Sequence, residues 1–130
     1  MNTTKTTEGK DDLTFAVIGC AIEVHRLLSP GLLESAYEQC LVYELTKREI
    51  NFTIQTPMPL EYKKVKLDCG YRIDLLIESS LIVEIKTVDQ LLKIHQAQIL
   101  TYMKLATVSV GLLINFNSVP LKNGIKRFKL

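Results

Sequence analysis

The sequence predicts an α/β domain in which helices flank a mixed β-sheet, and three observations carry that prediction. Apolar residues recur at helical spacing over residues 12–28, 32–48 and 90–105. Two aliphatic runs, Tyr71 to Ile77 and Leu81 to Thr87, flank the polar break Glu78-Ser79-Ser80 as strand, turn and strand. Finally, Val108 to Phe116 is almost continuously apolar, the pattern of a central strand covered on both faces. The predicted order is helix, helix, three or four strands, helix, strand, strand.

The composition bounds what this domain can be. A chain of 130 residues supports a single core. Apolar residues make up 47% and charged ones 23%, as in ordinary globular proteins, and the net charge of +2 leaves any affinity for polyanions to local patches. Cys20, Cys40 and Cys69 have neither metal-ligand nor redox spacing, and no signal peptide or long apolar span is evident. The expectation is a reduced, cytoplasmic protein with buried thiols and no membrane association.

Residues 1–10 contain almost nothing apolar and are expected to be a disordered tail ahead of one domain over 11–130. The first helix, Asp12 to Leu28, is capped by Asp11 or Asp12 and leaves only Asp12, Ala16, Gly19, Glu23 and Arg26 on its less apolar side. So wide an apolar face predicts packing on two sides. His25 reads as a structural hydrogen-bonding group, since no second ligand falls at metal spacing. Ser29-Pro30-Gly31 breaks the chain. A second helix over Leu32 to Arg48 aligns Glu34, Tyr37 and Leu41 on one face. Glu34 either favours the helix dipole or aims a carboxylate at a site elsewhere.

Ile50 to Thr56 reads as a strand, and Leu60 to Leu67 as one more extended piece whose Lys63, Lys64 and Lys66 form a solvated rim. With Arg72, Lys122, Lys126, Arg127 and Lys129 these lysines could instead form a discontinuous track for a phosphate backbone. Asp89 is placed to cap the third helix, Gln90 to Leu105, which turns His95, Gln98 and Tyr102 toward protein. These three either make core hydrogen bonds or cover a site. Ile125 to Leu130 alternates apolar and basic residues, as an edge strand does.

The chemistry gathers on the hairpin. A three-residue loop pairs Ile77 with Leu81, Leu75 with Val83, and Asp74 with Glu84. One face then holds Ile73, Leu75, Ile77, Leu81, Val83 and Ile85, and the other holds Arg72, Asp74, Leu76, Ile82, Glu84 and Lys86. Cβ atoms of directly opposed residues stand roughly 4.5–5.5 Å apart, so the two carboxylates repel. A hard divalent cation, a shared proton or the Lys86 ammonium could offset that repulsion. An ordinary ion pair on a solvated strand face remains the competing reading.

The segments AIEVHRLLSPGLLESAYE, YRIDLLI, VEIKTV, HQAQILTYM and VGLLINF follow one another in the order found in a known group of proteins. Gly31, Glu34 and Tyr37 match the motif of the GxxExxY family, and the whole resembles a branch of the PD-(D/E)XK nuclease superfamily. The resemblance implies a restriction-endonuclease-like core. It also implies that Asp74 is the motif aspartate, Glu84 the second acid, Lys86 the motif lysine and Glu34 a helix-borne metal-holding acid, with Gln98 and Tyr102 as a QxxxY pair. Ile73 stands where the superfamily's name expects proline.

The expected activity is therefore hydrolysis of phosphodiester bonds, in DNA rather than RNA. Mg²⁺ or Mn²⁺ would be held by Glu34, Asp74, Glu84 and the Ile85 carbonyl. Lys86 would position water and phosphate, with Gln98 and Tyr102 shaping the site. Two other readings stand beside it. One is a non-catalytic module that grips nucleic acid or a protein, working as a homo-oligomer or within a larger complex. The other is an internal salt-bridge network of the two acids with Lys86.

Overall fold

The computed structural model describes residues 7–130, with side chains from Asp12 onward. Helix α1 spans Thr7–Leu28 and α2 Glu34–Lys47; strand β1 is Phe52–Pro57, β2 Leu60–Tyr62, β3 Val65–Leu67, β4 Arg72–Ile77 and β5 Leu81–Lys86. Helix α3, Lys93–Ala106, precedes β6, Val110–Asn115, a short 3₁₀ turn at Leu121–Gly124, and β7, Ile125–Lys129. Of the tail expected over residues 1–10, the first six lie outside the described residues, whereas Thr7–Lys10 continue α1. Asp11 and Asp12 are accordingly inside the helix rather than at its cap, because a nucleated helix extends at little cost per added residue.

Five strands form one sheet in the order β1-β4-β5-β6-β7, with only the β5–β6 pair parallel. That parallel pair requires a crossover, and α3 supplies it. Every residue of β6 is buried, as its unbroken apolar run dictates, and the basic strand β7 takes the sheet edge. Helices α1 and α2 cover one face through Val17, Cys20, Val24, Tyr37, Leu41 and Leu45, packed on Leu75, Ile77, Leu81, Val83 and Ile85. Helix α3 covers the other with Ile99 and Met103 against Ile73, Ile82 and Leu113.

Several expectations are corrected. The single extended piece at Leu60–Leu67 is instead a tight hairpin, β2–β3, forming its own two-stranded sheet with Tyr62 opposite Val65. Its turn residues Lys63 and Lys64 have φ of 50° and 68°, the two left-handed positions that a two-residue hairpin needs. Lysine pairs are not the usual Asn-Gly signal for such a turn, so the sequence hid it. The lysines of this hairpin and those of β7 belong to separate sheets. Helix α1 packs on one side only: Phe15 is 79% exposed, and Ile22 and Leu27 also face outward. Cys69 is exposed rather than buried.

The loop between α1 and α2 shows what its glycine is for. Gly31 has φ +117°, a conformation that side-chain-bearing residues rarely adopt. At Gly124 the constraint is space: a Cβ there would fall 2.7 Å from the Asn115 carbonyl oxygen and 2.6 Å from Ser118 Cβ. Backbone cannot yield as a flexible side chain does, so Gly124→Ala should lower stability by about 1–3 kcal/mol, read as a lower denaturant midpoint at unchanged slope.

Candidate active site

The β4–β5 register is the expected one at its closed end, with Ile77 opposite Leu81 and Leu75 opposite Val83. It stops there. Asp74 and Glu84 do not form the next backbone pair; instead each carboxylate takes an amide of the opposite strand. The Asp74 amide donates to Glu84 Oε2 at 2.9 Å, and the Ile85 amide donates to Asp74 Oδ2 at 2.8 Å. Side chains thus replace ladder bonds where the strands part, and the buried amides stay satisfied.

The face assignment changes at the same place. Ile73 joins the α3 cluster rather than the face of Leu75 and Ile77, so β4 turns over at Asp74. On β1, Gln55 sits across from this point with φ 47° and is skipped in the register between Ile54–Leu75 and Thr56–Ile73. The consequence is that the two acids do not stand side by side on one face. Asp74 lines a cavity of about 310 Å³ with Glu34, Ser35, Glu38, Gln55 and Ile85 on the α2 side. Glu84 alternates with Val83 and Ile85 toward the α3 side and is 6% exposed. The two are linked across the gap between their strands by carboxylate-to-amide bonds.

Burial pushes the Glu84 carboxyl up to about 8, with the Asp74 charge adding to the effect and Lys86 opposing it. Glu84 therefore carries its proton at neutral pH in the cation-free protein. Among the described residues Lys86, which is half-buried, makes no ion pair within 4 Å, which weighs against an internal salt-bridge network. The segment that follows Lys86 is pinned by Asn115. This buried amide accepts from the Val88 amide at 3.1 Å and donates to the Val88 carbonyl at 2.8 Å, while the Phe116 amide donates to the Lys86 carbonyl.

Glu34 opens α2, where its charge complements the helix N-terminus, and its Oε2 accepts from the Thr87 amide at 3.3 Å. Tyr37, fully buried one turn later, fixes that helix start. Its hydroxyl donates to the Ser29 carbonyl at 2.5 Å and accepts from the Leu32 amide at 3.2 Å, and its ring stacks on Phe116 at 4.5 Å. The Gly31, Glu34 and Tyr37 motif is thus a loop, an acid and a clamp.

Gln98 and Tyr102 lie apart from the Glu34–Asp74 cavity, in a second cleft between α3, Leu60 and Tyr71. Tyr102 still feels the hairpin acids: burial first, then Glu84 and Asp74, raise its hydroxyl above the usual range. His95 is not in the site; its Nδ1 accepts from the Leu92 amide at 3.0 Å and caps α3, which starts three residues after the expected Gln90 and leaves Asp89 outside it. The His25 ring lies 6.4 Å from that of Phe116.

Two residues escaped the sequence reading. Gln55 Nε2 bridges Glu38 Oε1 at 3.0 Å and Asp74 Oδ1 at 3.3 Å. Burial, partly offset by that bond and reinforced by Asp74 and Glu34, raises the Glu38 carboxyl. The four-residue spacing of Glu34 and Glu38 could have revealed the second acid; no alternation pattern points to Gln55.

A sequence model of the PD-(D/E)XK nuclease superfamily matches residues 11–128. The chain belongs to that superfamily. Searches of curated proteins and of solved structures gave no match. PD-(D/E)XK nucleases usually use divalent metals, and the donors here suit such an ion: Glu34, Asp74 and Glu84 are oxygen donors, and burial with the Asp74 charge beside it raises the Glu84 carboxyl. Among the described residues no three His, Cys, Asp or Glu side chains are already gathered closely enough to hold a metal. Backbone amides occupy the carboxylates in their place. Among the described residues no helix is long and apolar enough to cross a membrane.

Proposed function

We propose that this PD-(D/E)XK domain is a divalent-cation-dependent nuclease that hydrolyses phosphodiester bonds, with DNA as its substrate. The observation that carries the reading is the mutual threading of Asp74 and Glu84 where β4 and β5 part, next to Lys86. A buried acid set against a second carboxylate, with an ammonium two residues along that makes no ion pair among the described residues, is costly as scaffold and useful as chemistry.

Asp74 and Glu84, assisted by Glu34 and the Ile85 carbonyl, would hold Mg²⁺ or Mn²⁺. When bound, such a cation supplies charge for the scissile phosphate and lowers the pKa of a water. Lys86 contributes a cation that makes no ion pair among the described residues, suited to orienting a phosphate oxygen and the attacking water. Gln55 and the backbone amides hold the carboxylates in register. Gln98 and Tyr102 act from the α3 side, where they contact substrate.

The test is cleavage of DNA by the purified protein with Mg²⁺ or Mn²⁺. Glu84→Ala and Lys86→Ala should each reduce it by about 10³-fold or more while leaving the far-ultraviolet dichroism unchanged. Cleavage that persists undiminished in both variants rejects the assignment. Binding of nucleic acid without cleavage, indifferent to the ion and to both acids, would instead identify a gripping module.

A further inference from the structure

The cleft on the α3 side has a volume of about 300 Å³ and a composition unlike the acid cavity. Its walls are Leu60, Tyr71, Ile94, Gln98, Thr101 and Tyr102. Two of these are aromatic: Tyr71, 44% exposed, meets the edge of Tyr102 at 6.1 Å between ring centroids. Beside it stands the β2–β3 hairpin, which contributes Leu60 to the wall. Its remaining residues are open to solvent: Tyr62, Val65 and Leu67 are interspersed with Lys63, Lys64 and Lys66, and a single acid, Glu61, stands opposite Lys66. Lys63 Nζ lies 5.4 Å from the centre of the Tyr62 ring.

Exposed apolar and aromatic side chains interleaved with lysines suit a ligand that is planar and apolar in one part and anionic in the next. An unpaired nucleotide has that make-up, since its base stacks on an aromatic face while its phosphate pairs with an ammonium. A duplex hides its bases and offers only phosphates and groove edges, which the aromatic wall cannot use. Tyr102 also lies within electrostatic reach of Glu84 and Asp74, which ties this cleft to the hairpin acids.

We infer that the Tyr71–Tyr102 cleft and the lysine hairpin beside it bind an unpaired nucleotide, so that the domain engages single-stranded nucleic acid in preference to duplex. The inference rests on the nuclease reading for the use made of the bound strand, and on the cleft alone for the binding itself.

The test measures binding of a fluorescently labelled 15-nucleotide strand and of the blunt duplex of the same sequence by the full chain in EDTA, where no cleavage intervenes. The strand should bind at least tenfold more tightly than the duplex. Tyr71→Ala should weaken strand binding about tenfold and leave duplex binding unchanged, with Tyr71→Phe restoring it. Replacing Lys63, Lys64 and Lys66 together by alanine should flatten the dependence of log affinity on log salt by about 2. Deoxy and ribo versions of the strand distinguish the two sources of the nucleotide; a preference for either strand over its duplex supports the inference. Duplex binding as tight as strand binding, or strand binding unmoved by Tyr71→Ala, overturns it. Because cleavage is not the readout, a protein that grips single strands yet never cuts would sink the nuclease reading and leave this one standing. A nuclease without strand preference would do the reverse.

Discussion

Glu84→Gln should make the cation-free protein more stable than the wild type at pH 9, while the two should be nearly equal at pH 4. The sign follows from where the proton sits. In the unfolded chain Glu84 titrates near its ordinary value of 4.5, and in the fold it holds its proton to about 8, chiefly because it is buried and then because Asp74 is close. Between those two values the native state binds a proton that the unfolded state does not, so stability falls as pH rises through this window. Below the window both states are protonated. Above it the fold carries the full cost of a buried carboxylate, at about 1.4 kcal/mol for each unit of difference.

Glutamine removes the titration but keeps an oxygen to accept from the Asp74 amide, so the hydrogen bond at 2.9 Å has a substitute. Thermal unfolding from pH 4 to 9 should therefore fall more steeply with pH for the wild type than for the variant, whose remaining slope belongs to groups such as Glu38. Added Mg²⁺ or Mn²⁺ should raise the wild-type melting temperature at high pH, as any ligand specific to the native state does, and leave the variant unmoved. A wild-type profile that is flat across the window would show that Glu84 is ionised and accommodated by something other than a cation.

Tyr37→Ala should cost about 3–5 kcal/mol, a large share of the roughly 5–15 kcal/mol that holds an ordinary domain folded. Three losses combine. A fully buried ring disappears from the core between α2 and the sheet, the stack on Phe116 at 4.5 Å goes with it, and the Ser29 carbonyl and Leu32 amide lose their partner. Tyr37→Phe separates these contributions. It retains ring and stack, so it should cost only about 1–3 kcal/mol, the penalty of leaving buried polar groups unpaired. It should also lower cleavage more than stability, because the Ser29–Leu32 loop sets the start of α2 and hence the position of Glu34. Chemical denaturation of both variants, with cleavage assayed on the phenylalanine form, checks the split.

What the sequence made legible was periodic. Val108 to Phe116 announced a covered central strand by its unbroken apolar run, and the Glu78-Ser79-Ser80 break determined the pairing of Ile77 with Leu81. Period-two reasoning failed where the backbone departs from regular pleat. At Asp74 the strand turns over and sends Ile73 to the α3 side, and no pattern of apolar and polar letters encodes that reversal. The same limit hid the Lys63-Lys64 turn, whose left-handed backbone is adopted by residues with no special liking for it. The site showed the same division. Glu34, Asp74, Glu84 and Lys86 were visible as charges out of place among apolar neighbours. Gln55 and Asn115, neutral and ordinary as letters, became visible only once their amides were seen to bridge segments far apart in the chain.

The β2–β3 hairpin leaves and re-enters the main sheet between β1 and β4, and those two strands pair directly with each other, Thr56 beside Ile73 and Pro57 beside Arg72. The excursion is a closed side-loop whose two feet are already fastened. Such an appendage can lengthen, shorten or be exchanged over evolution without shifting the register of β1 on β4. On the reading proposed above, the surface that grips a strand and the acids that act on it are separate modules of the fold.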